Sequence, residues 1–234
     1  MAKKIRRSKV RRQLRKVRRK RRYHHGDLRR AMIDAALRLV ETEGAEALTL
    51  RAAARLAGVS QAAPYRHFTN KEALLAAVAE EGFRALGAAM RGTATESRSP
   101  ASGMAERDRA LERMRALGLG YVGFAVSHPA HFRVMFGREV ADRSVYPALH
   151  EAAAKTFRAL VEAIAGCQRA GLVRSGEPEE LALTAWASVH GISSLLVAGQ
   201  RAGALNKPPA ELAKIVTRNL LLGLGARPEK STKR

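Results

Sequence analysis

Cysteine, aromatic residues and long apolar runs are scarce in this sequence of 234 residues. The single cysteine, Cys167, cannot form a disulfide within the chain, which indicates a reducing compartment. Aromatic residues make up 5% of the chain, and β-branched residues form no clusters, which favours helices over sheets. No apolar run approaches the length of a membrane span or follows the basic start as in a signal peptide. We therefore expect an all-α, cytoplasmic protein that makes no contact with a membrane.

Acidic residues are absent from residues 1–22, which hold 14 of the 43 lysines and arginines. The remaining residues carry 29 basic against 21 acidic side chains, a net charge of +8, so the tail produces most of the total of +22. A block of like charges repels itself, and we expect a basic, disordered arm. Such an arm could follow a phosphate backbone or enter a minor groove. A solvated extension without a function is the alternative.

Residues 49–71 have the pattern of two short helices joined by a tight turn. The Thr49 hydroxyl is predicted to cap the first helix by accepting a backbone N–H. Gly58 is predicted to end it, because only glycine enters the left-handed conformation at little cost. Ser60 is predicted to cap a second helix over residues 61–68.

The second helix carries side chains suited to DNA on its outward face. Gln61, Tyr65 and Arg66 offer donors and acceptors of the kind that reach base edges and phosphates. Pro64 lies in the first turn and is predicted to bend the helix without abolishing it. Phe68 is predicted to turn back into the core.

Further helices follow from apolar spacing along the rest of the chain. They are predicted over residues 28–43, 70–91, 105–127, 130–136, 144–170, 177–202 and 208–225. A capping box of Thr69 with Glu72 is predicted to start the helix at residue 70, so that Lys71 lies at a helix N-terminus suited to phosphate. Residues 91–103 are rich in Gly, Ser, Thr and Pro and predict a break or linker.

A family resemblance is carried by many of these positions at once. They are Ile33, Ala35, Ala36, Leu37, Gly44, Thr49, Ala57, Gly58, Val59, Ser60, Tyr65, Arg66, His67, Phe68, Lys71, Glu72, Ala73 and Leu74. In type and spacing they resemble the DNA-binding domain of the tetracycline-repressor (TetR) family. Pro64 departs from the Leu, Ile or Val that is usual there. The opening Tyr23–Asp27 and the run Trp186…His190-Gly191 are similar to a branch with a C-terminal Trp…His-Gly signature.

The resemblance implies a fold and a function. The fold would be a three-helix helix-turn-helix domain over residues 23–84, with the helix-turn-helix at 49–68, followed by an all-helical ligand-binding and dimerisation domain over 104–226. The function would be that of a homodimeric transcriptional regulator, a repressor released from an inverted-repeat, double-stranded operator by a small apolar effector. The two last predicted helices, rich in small residues and leucine, would form the dimer surface.

The resemblance also implies site residues. The base-facing residues would be Gln61, Ala62, Ala63 and Arg66, with Arg51 near the groove. The phosphate-holding residues would be Thr49, Ser60, Tyr65, His67 and Lys71. A ligand pocket is expected among Tyr121, Phe124, Met135, Phe157, Trp186 and His190, although a packed Trp with a hydrogen-bonded His is the alternative.

No catalytic or metal-binding pattern competes with this interpretation. His128 and His131 flank Pro129, which interrupts the helical spacing, and no acidic or cysteine partner lies near them in sequence. Cys167 lies within an apolar helical stripe, so we expect no enzyme and no cofactor. Two rivals stay open: a sequence-nonspecific nucleic-acid-binding protein driven by the basic tail, and a hydrolase that uses Cys167 with a histidine.

Overall fold

A computed structural model describes residues 28–96, 104–200 and 202–225. The predicted basic arm, the opening Tyr23–Asp27 and residues 97–103 of the predicted linker lie outside the described residues. The helices are α1 Leu28–Glu43, α2 Leu50–Ala57, α3 Lys71–Glu96, α4 Glu106–Ser127, α5 Pro129–Phe136, α6 Pro147–Arg169, α7 Pro178–Val197 and α8 Pro209–Gly223. In the same residues, extended pairing is limited to an isolated bridge between Val173 and Gly225. The predicted all-α fold is confirmed.

Helices α1, α2 and the first half of α3 form an N-terminal helical unit. The apolar stripe of α1 is buried as predicted, with Met32, Ile33 and Val40 at most 1% exposed. It packs against α2 and α3, and Phe68 is buried in the same core, at 3% exposed. Burial of these side chains supplies most of the free energy that orders three short helices.

Both predicted caps of α2 are confirmed. The Thr49 hydroxyl oxygen accepts a hydrogen bond from the Ala52 backbone N–H at 3.0 Å. Gly58 adopts a left-handed φ of 71°, and its N–H donates to the carbonyls of Ala54 and Arg55. A Cβ atom at Gly58 would meet nothing within 4 Å. Glycine is therefore required there by backbone conformation and not by a close approach of helices.

The predicted α-helix over residues 61–68 is wrong. The structure has a single 3-10 turn, Ala63–Arg66, preceded by Ala62, which offers no capping side chain; the predicted cap at Ser60 is wrong as well. Pro64 has no N–H to donate to the Ser60 carbonyl, and it disfavours the α conformation of the residue before it. The Ser60 carbonyl is bonded instead by the Ala63 N–H at 3.1 Å. Pro64 thus abolishes the α-helix that it was expected to bend.

Several other helix ends differ from their predicted positions. The Asn70 side-chain oxygen, not Thr69, caps α3 by accepting from the Ala73 N–H at 2.8 Å. Helix α3 continues to Glu96, into the predicted break. Pro147 begins α6 because proline suits the first helical turn. Helix α7 ends at Val197, two residues before the left-handed Gly199, whose φ is 76°.

Helix α4 lies at the centre of the second unit, against α3, α6, α7 and α8. A Cβ atom at Gly118 of α4 would overlap the Thr217 hydroxyl of α8. The glycine therefore allows these two helices to approach closely.

One described helix, α7, is long and apolar enough by length and composition to cross a membrane. This corrects the expectation that no such run exists. The same test also selects core helices of proteins that do not enter membranes, so a single example is weak support for a span. In this fold α7 packs against α4, α6 and α8.

Helix α5 joins the N-terminal unit to the second unit. Arg30 of α1 donates to Glu81 of α3 at 2.7 Å and also pairs with Asp34 at 2.7 Å. On α5, His131 places its Nε2 atom 3.9 Å from the same Glu81 carboxylate. Burial is the main cause that lowers the pKa of His131; Glu81 opposes it, whereas His128 and Arg30 reinforce it.

Replacing Gly58 with alanine should lower the free energy of unfolding by about 1–2 kcal/mol, because an L-residue is strained in the left-handed conformation. Urea denaturation measures this change. Gly123→Ala is the matched control, since its added methyl group meets nothing within 4 Å in mid-helix and should stabilise by about 0.5–1 kcal/mol. Equal effects of the two substitutions would contradict the backbone argument.

Acid should destabilise the fold through His131. Its folded-state pKa is lowered, so below the ordinary value of about 6.5 the unfolded chain binds more protons and stability falls as pH falls. Urea denaturation between pH 7.5 and pH 5.5 should show a shallower dependence for His131→Gln than for the unsubstituted chain. The exposed His67 provides the control, His67→Gln; an identical slope for both variants would refute a contribution from His131.

Candidate nucleic-acid interface and internal cavity

Acidic side chains are absent from the whole segment between Glu46 and Glu72. Within it Arg51, Arg55 and Arg66 are exposed to solvent. Exposed cations without neighbouring carboxylates attract phosphates and are not compensated by the protein itself. This surface is suited to a nucleic-acid backbone.

The segment that follows α2, residues 60–67, is here called the reading segment. Of the ten residues predicted to contact DNA, eight are exposed: Thr49, Arg51, Ser60, Gln61, Ala62, Tyr65, Arg66 and His67. The Tyr65 side chain is 55% exposed although it is aromatic. An exposed aromatic ring beside exposed arginines is typical of a binding surface.

The other two predicted contacts are less accessible. Ala63 is partly buried and packs against the core, because the 3-10 turn directs it inward. Lys71 is partly buried at the first residue of α3, and its ammonium group donates to the Glu46 carbonyl at 2.9 Å. An ammonium group has three donors, so this hydrogen bond leaves Lys71 able to meet a phosphate at the start of the helix.

A cavity of about 640 Å³ lies within the second unit. Its walls come from α3, α4, α6, α7 and α8, together with the end of α5 and the segment between α5 and α6. Its lining includes Phe83, Leu86, Met90, Leu117, Tyr121, Phe136, Arg143, His150, Phe157, Leu160, Trp186, Val189 and His190. The size falls within the range of small-molecule sites, roughly 300–1,000 Å³.

A polar cluster of Tyr121, Trp186 and His190 lies in the cavity wall. The Trp186 indole N–H donates to the Tyr121 hydroxyl oxygen at 3.1 Å, and this oxygen is 2.9 Å from His190 Nδ1. Because the tyrosine oxygen accepts from Trp186, its own proton can be donated to His190. Burial raises the pKa of Tyr121 and lowers that of His190. Both groups are therefore neutral near pH 7.

Four of the six residues predicted for the pocket, Tyr121, Phe157, Trp186 and His190, line this cavity. Phe124 and Met135 do not. The Phe124 ring stacks on His128 at 4.8 Å. Met135 is fully buried, and a Cβ atom at Gly82 of α3 would lie 2.5 Å from its sulfur atom. Both belong to the core contact between helices, which helical periodicity alone does not distinguish from a cavity wall.

Arg143, Phe83 and Phe136 line the cavity and were missed in the sequence. Arg143 belongs to the 3-10 turn Arg143–Val145, and its guanidinium donates to the Met135 carbonyl and lies 5.6 Å from the centre of the Phe83 ring. The Phe136 ring lies 4.5 Å from His190. An arginine in an aperiodic segment gives no sequence signal for its position, and the apolar spacing of α3 does not tell whether Phe83 packs in a core or lines a cavity.

Cys167 is buried, and burial raises the pKa of its thiol. A raised pKa disfavours the nucleophilic thiolate. Among the described residues no group of three or more His, Cys, Asp or Glu side chains could hold a metal ion. This part of the chain offers the cysteine hydrolase hypothesis no support.

Two family models match this chain. Residues 32–78 match the model described as bacterial regulatory proteins of the tetR family. Residues 114–220 match the tetracyclin repressor-like C-terminal domain. The first match contains the reading segment, and the second contains Trp186 and His190.

Known proteins and structures give the same result. The HTH-type transcriptional regulator BetI of Rhizobium meliloti (strain 1021) is 38% identical over 86 residues, 37% of this chain and 40% of the relative. A protein of unknown function from Rhodococcus sp. RHA1 is 34% identical, with a TM-score of 0.71 and coverage of 88% of this chain and 99% of that one.

A tetR-family regulatory protein from Rhodococcus RHA1 shares the fold, at 20% identity and a TM-score of 0.66, over 86% of this chain and 98% of that one. Regulators of this family bind DNA and act as dimers. The chain therefore belongs to the TetR family of transcriptional regulators, with a helix-turn-helix DNA-binding domain.

Proposed function

We propose that this protein is a cytoplasmic repressor whose dimer binds an inverted-repeat operator and leaves it when a small apolar ligand enters the 640 Å³ cavity. The observation that carries the proposal is the course of α3. The helix begins at Lys71, directly after the reading segment, and it reaches Met90 in the cavity wall. The distance along the helix axis is about 28 Å at 1.5 Å per residue.

Helix α3 has side chains in both units. Leu74, Leu75 and Val78 are fully buried in the core that supports the reading segment. Phe83, Leu86 and Met90 line the cavity. A ligand that displaces the three cavity-lining side chains would therefore shift α3, the same helix whose first half supports the reading segment.

Helix α5 provides a second connection. Its last residue, Phe136, contacts His190 in the cavity, while Met135 packs on Gly82 of α3 and His131 lies near Glu81. Ligand binding can shift the population of states only if the cavity differs between the DNA-bound and free conformations. Through these contacts, a change in the shape of the cavity would be transmitted to α3 and to the reading segment.

The roles of the exposed residues follow from their chemistry. Gln61 and Arg66 can form two hydrogen bonds each with a base edge, and Ala62 can contact a thymine methyl group. Ala63 is assigned the same role, although its partial burial limits it to the edge of the contact. Arg51 is near the groove, and Thr49, Ser60, Tyr65, His67 and Lys71 hold phosphates. The Thr49 hydroxyl already accepts a backbone N–H, so it meets a phosphate through its proton.

Dimerisation follows from the outward faces of α7 and α8. Leu195 is 38% exposed on α7, next to the exposed small residues Gly191 and Ala198, and Leu222 is 75% exposed on α8. Two such helices from each protomer would form a four-helix interface about a twofold axis. The symmetry would place two reading segments about one DNA turn apart.

Selection of bound fragments from random DNA by the full chain tests the proposal. We expect an inverted repeat with half-site centres about 10–11 base pairs apart, or slightly more. Compounds that alter the fluorescence of Trp186, the single tryptophan, should then weaken binding to the selected operator. Enrichment of no sequence would contradict the proposal and favour the alternative, a sequence-nonspecific binder driven by residues 1–22. Repeating the selection with a chain that lacks residues 1–22 distinguishes the two hypotheses, because only the nonspecific binder depends on these residues.

Arg66→Ala should reduce discrimination between the operator and random DNA by about 1–3 kcal/mol, since a bidentate base contact is lost. Lys71→Gln keeps a donor for the Glu46 carbonyl but removes the charge. It should weaken both DNAs alike and lower the slope of log affinity against log salt by about one unit. Fluorescence anisotropy at several salt concentrations measures both effects. Arg169→Ala, at an exposed arginine of α6, is the control, and identical behaviour of the first two variants would contradict the assigned roles.

A further inference from the structure

The described residues of the cavity wall carry positive charge and no negative charge. None of the described residues that line it is an aspartate or glutamate, whereas Arg143 carries a full positive charge. The neutral hydroxyl of Thr156 is already bonded to the carbonyls of Ala152 and Phe83. Tyr121, Trp186 and His190 are linked to one another by hydrogen bonds. Arg143 therefore carries a positive charge that an anionic ligand in the cavity could neutralise.

The guanidinium of Arg143 is half-buried and has no carboxylate partner within ion-pairing distance among the described residues. Burial lowers its pKa, yet an arginine side chain stays protonated in proteins. The guanidinium donates a hydrogen bond to the Met135 carbonyl and lies over the face of the Phe83 ring. These use only part of its five N–H donors, and neither contact neutralises the charge.

The position of Arg143 indicates how a ligand would be oriented in the cavity. Its neighbours Asp142, Ser144 and Val145 are exposed, so the turn lies at the protein surface while the guanidinium faces the cavity. Leu86, Leu117, Phe157 and Leu160 line the remaining wall with apolar surface. A molecule that suits both parts has an apolar body inside and an anionic group at the surface end.

We infer that the effector is an apolar organic carboxylate whose anionic group binds Arg143 and whose hydrocarbon part fills the cavity. This inference rests on the proposed function of the cavity as an effector site. A carboxylate matches the planar fork of the guanidinium in a bidentate pair. A cationic ligand is disfavoured, because the described cavity wall offers it no opposite charge.

The test compares three probes of one chain length: decanoate, decanol and decyltrimethylammonium. Trp186 lines the cavity and is the single tryptophan, so its fluorescence reports occupancy at this site and not at the basic tail. The full chain should bind decanoate most tightly and decyltrimethylammonium most weakly. Arg143→Gln should weaken decanoate binding about ten- to a hundredfold, the cost of losing a hydrogen bond between charged groups, and leave decanol binding unchanged.

Two further variants complete the experiment. Arg143→Lys keeps the charge without the fork and should bind decanoate with intermediate affinity. Arg138→Gln removes an equal charge from an exposed position of the same segment and should change nothing. Unchanged decanol binding by Arg143→Gln shows that the cavity is intact in that variant.

The inference is overturned if the unsubstituted chain binds decanol as tightly as decanoate, or if Arg143→Gln weakens both probes equally. Release of operator DNA by decanol alone would overturn it too, while leaving the proposed function intact. Conversely, Arg143-dependent decanoate binding without any effect on DNA would support a carboxylate site at Arg143 and contradict ligand release.

Discussion

The packing of α3 against two separate sets of side chains is the constraint on which the rest of the structure depends. Its first half is buried against α1, and its second half forms part of the cavity wall. A helix is stiff over this length because successive backbone hydrogen bonds join each turn of its interior to the next. The orientation of the reading segment and the shape of the cavity are therefore not independent.

Charge is divided along the chain in a way that fits these two tasks. The described reading surface exposes arginines and holds no acid between Glu46 and Glu72. Acidic residues return where the units meet, at Glu80 and Glu81 of α3, which pair with Arg29 and Arg30 of α1. Surface ion pairs of this kind contribute little to stability.

Local signals predicted the first half of the fold well. The apolar stripe of α1 predicted its buried face, and the caps at Thr49 and Gly58 are short-range features that a sequence shows directly. The prediction for the reading segment failed because Pro64 lacks the N–H that an α-helix would bond to the Ser60 carbonyl and also disfavours the α conformation of Ala63. The sequence predicted which residues are exposed more reliably than the conformation that exposes them.

Only part of the cavity lining could be predicted from the sequence. The spacing of Trp186 and His190 on one helix face was enough to suggest a pair in a pocket wall. Arg143 was not predictable, because its role depends on a turn that folds back over α3 through contacts with Met135 and Phe83. Phe124 and Met135 share the apolar periodicity of the lining residues, but both are buried in the core and do not line the cavity. Periodicity identifies the buried face of a helix but does not show whether that face packs against another helix or lines a cavity.

The absence of a side chain at Gly82 has a mechanical consequence. Met135 fills the space that a Cβ atom would take, with its sulfur only 2.5 Å from that position. Interlocked surfaces resist sliding, because any translation would force atoms into overlap. Sliding of α3 past α5 is therefore blocked at this contact, and a displacement of Phe136 at the cavity would move the two helices together.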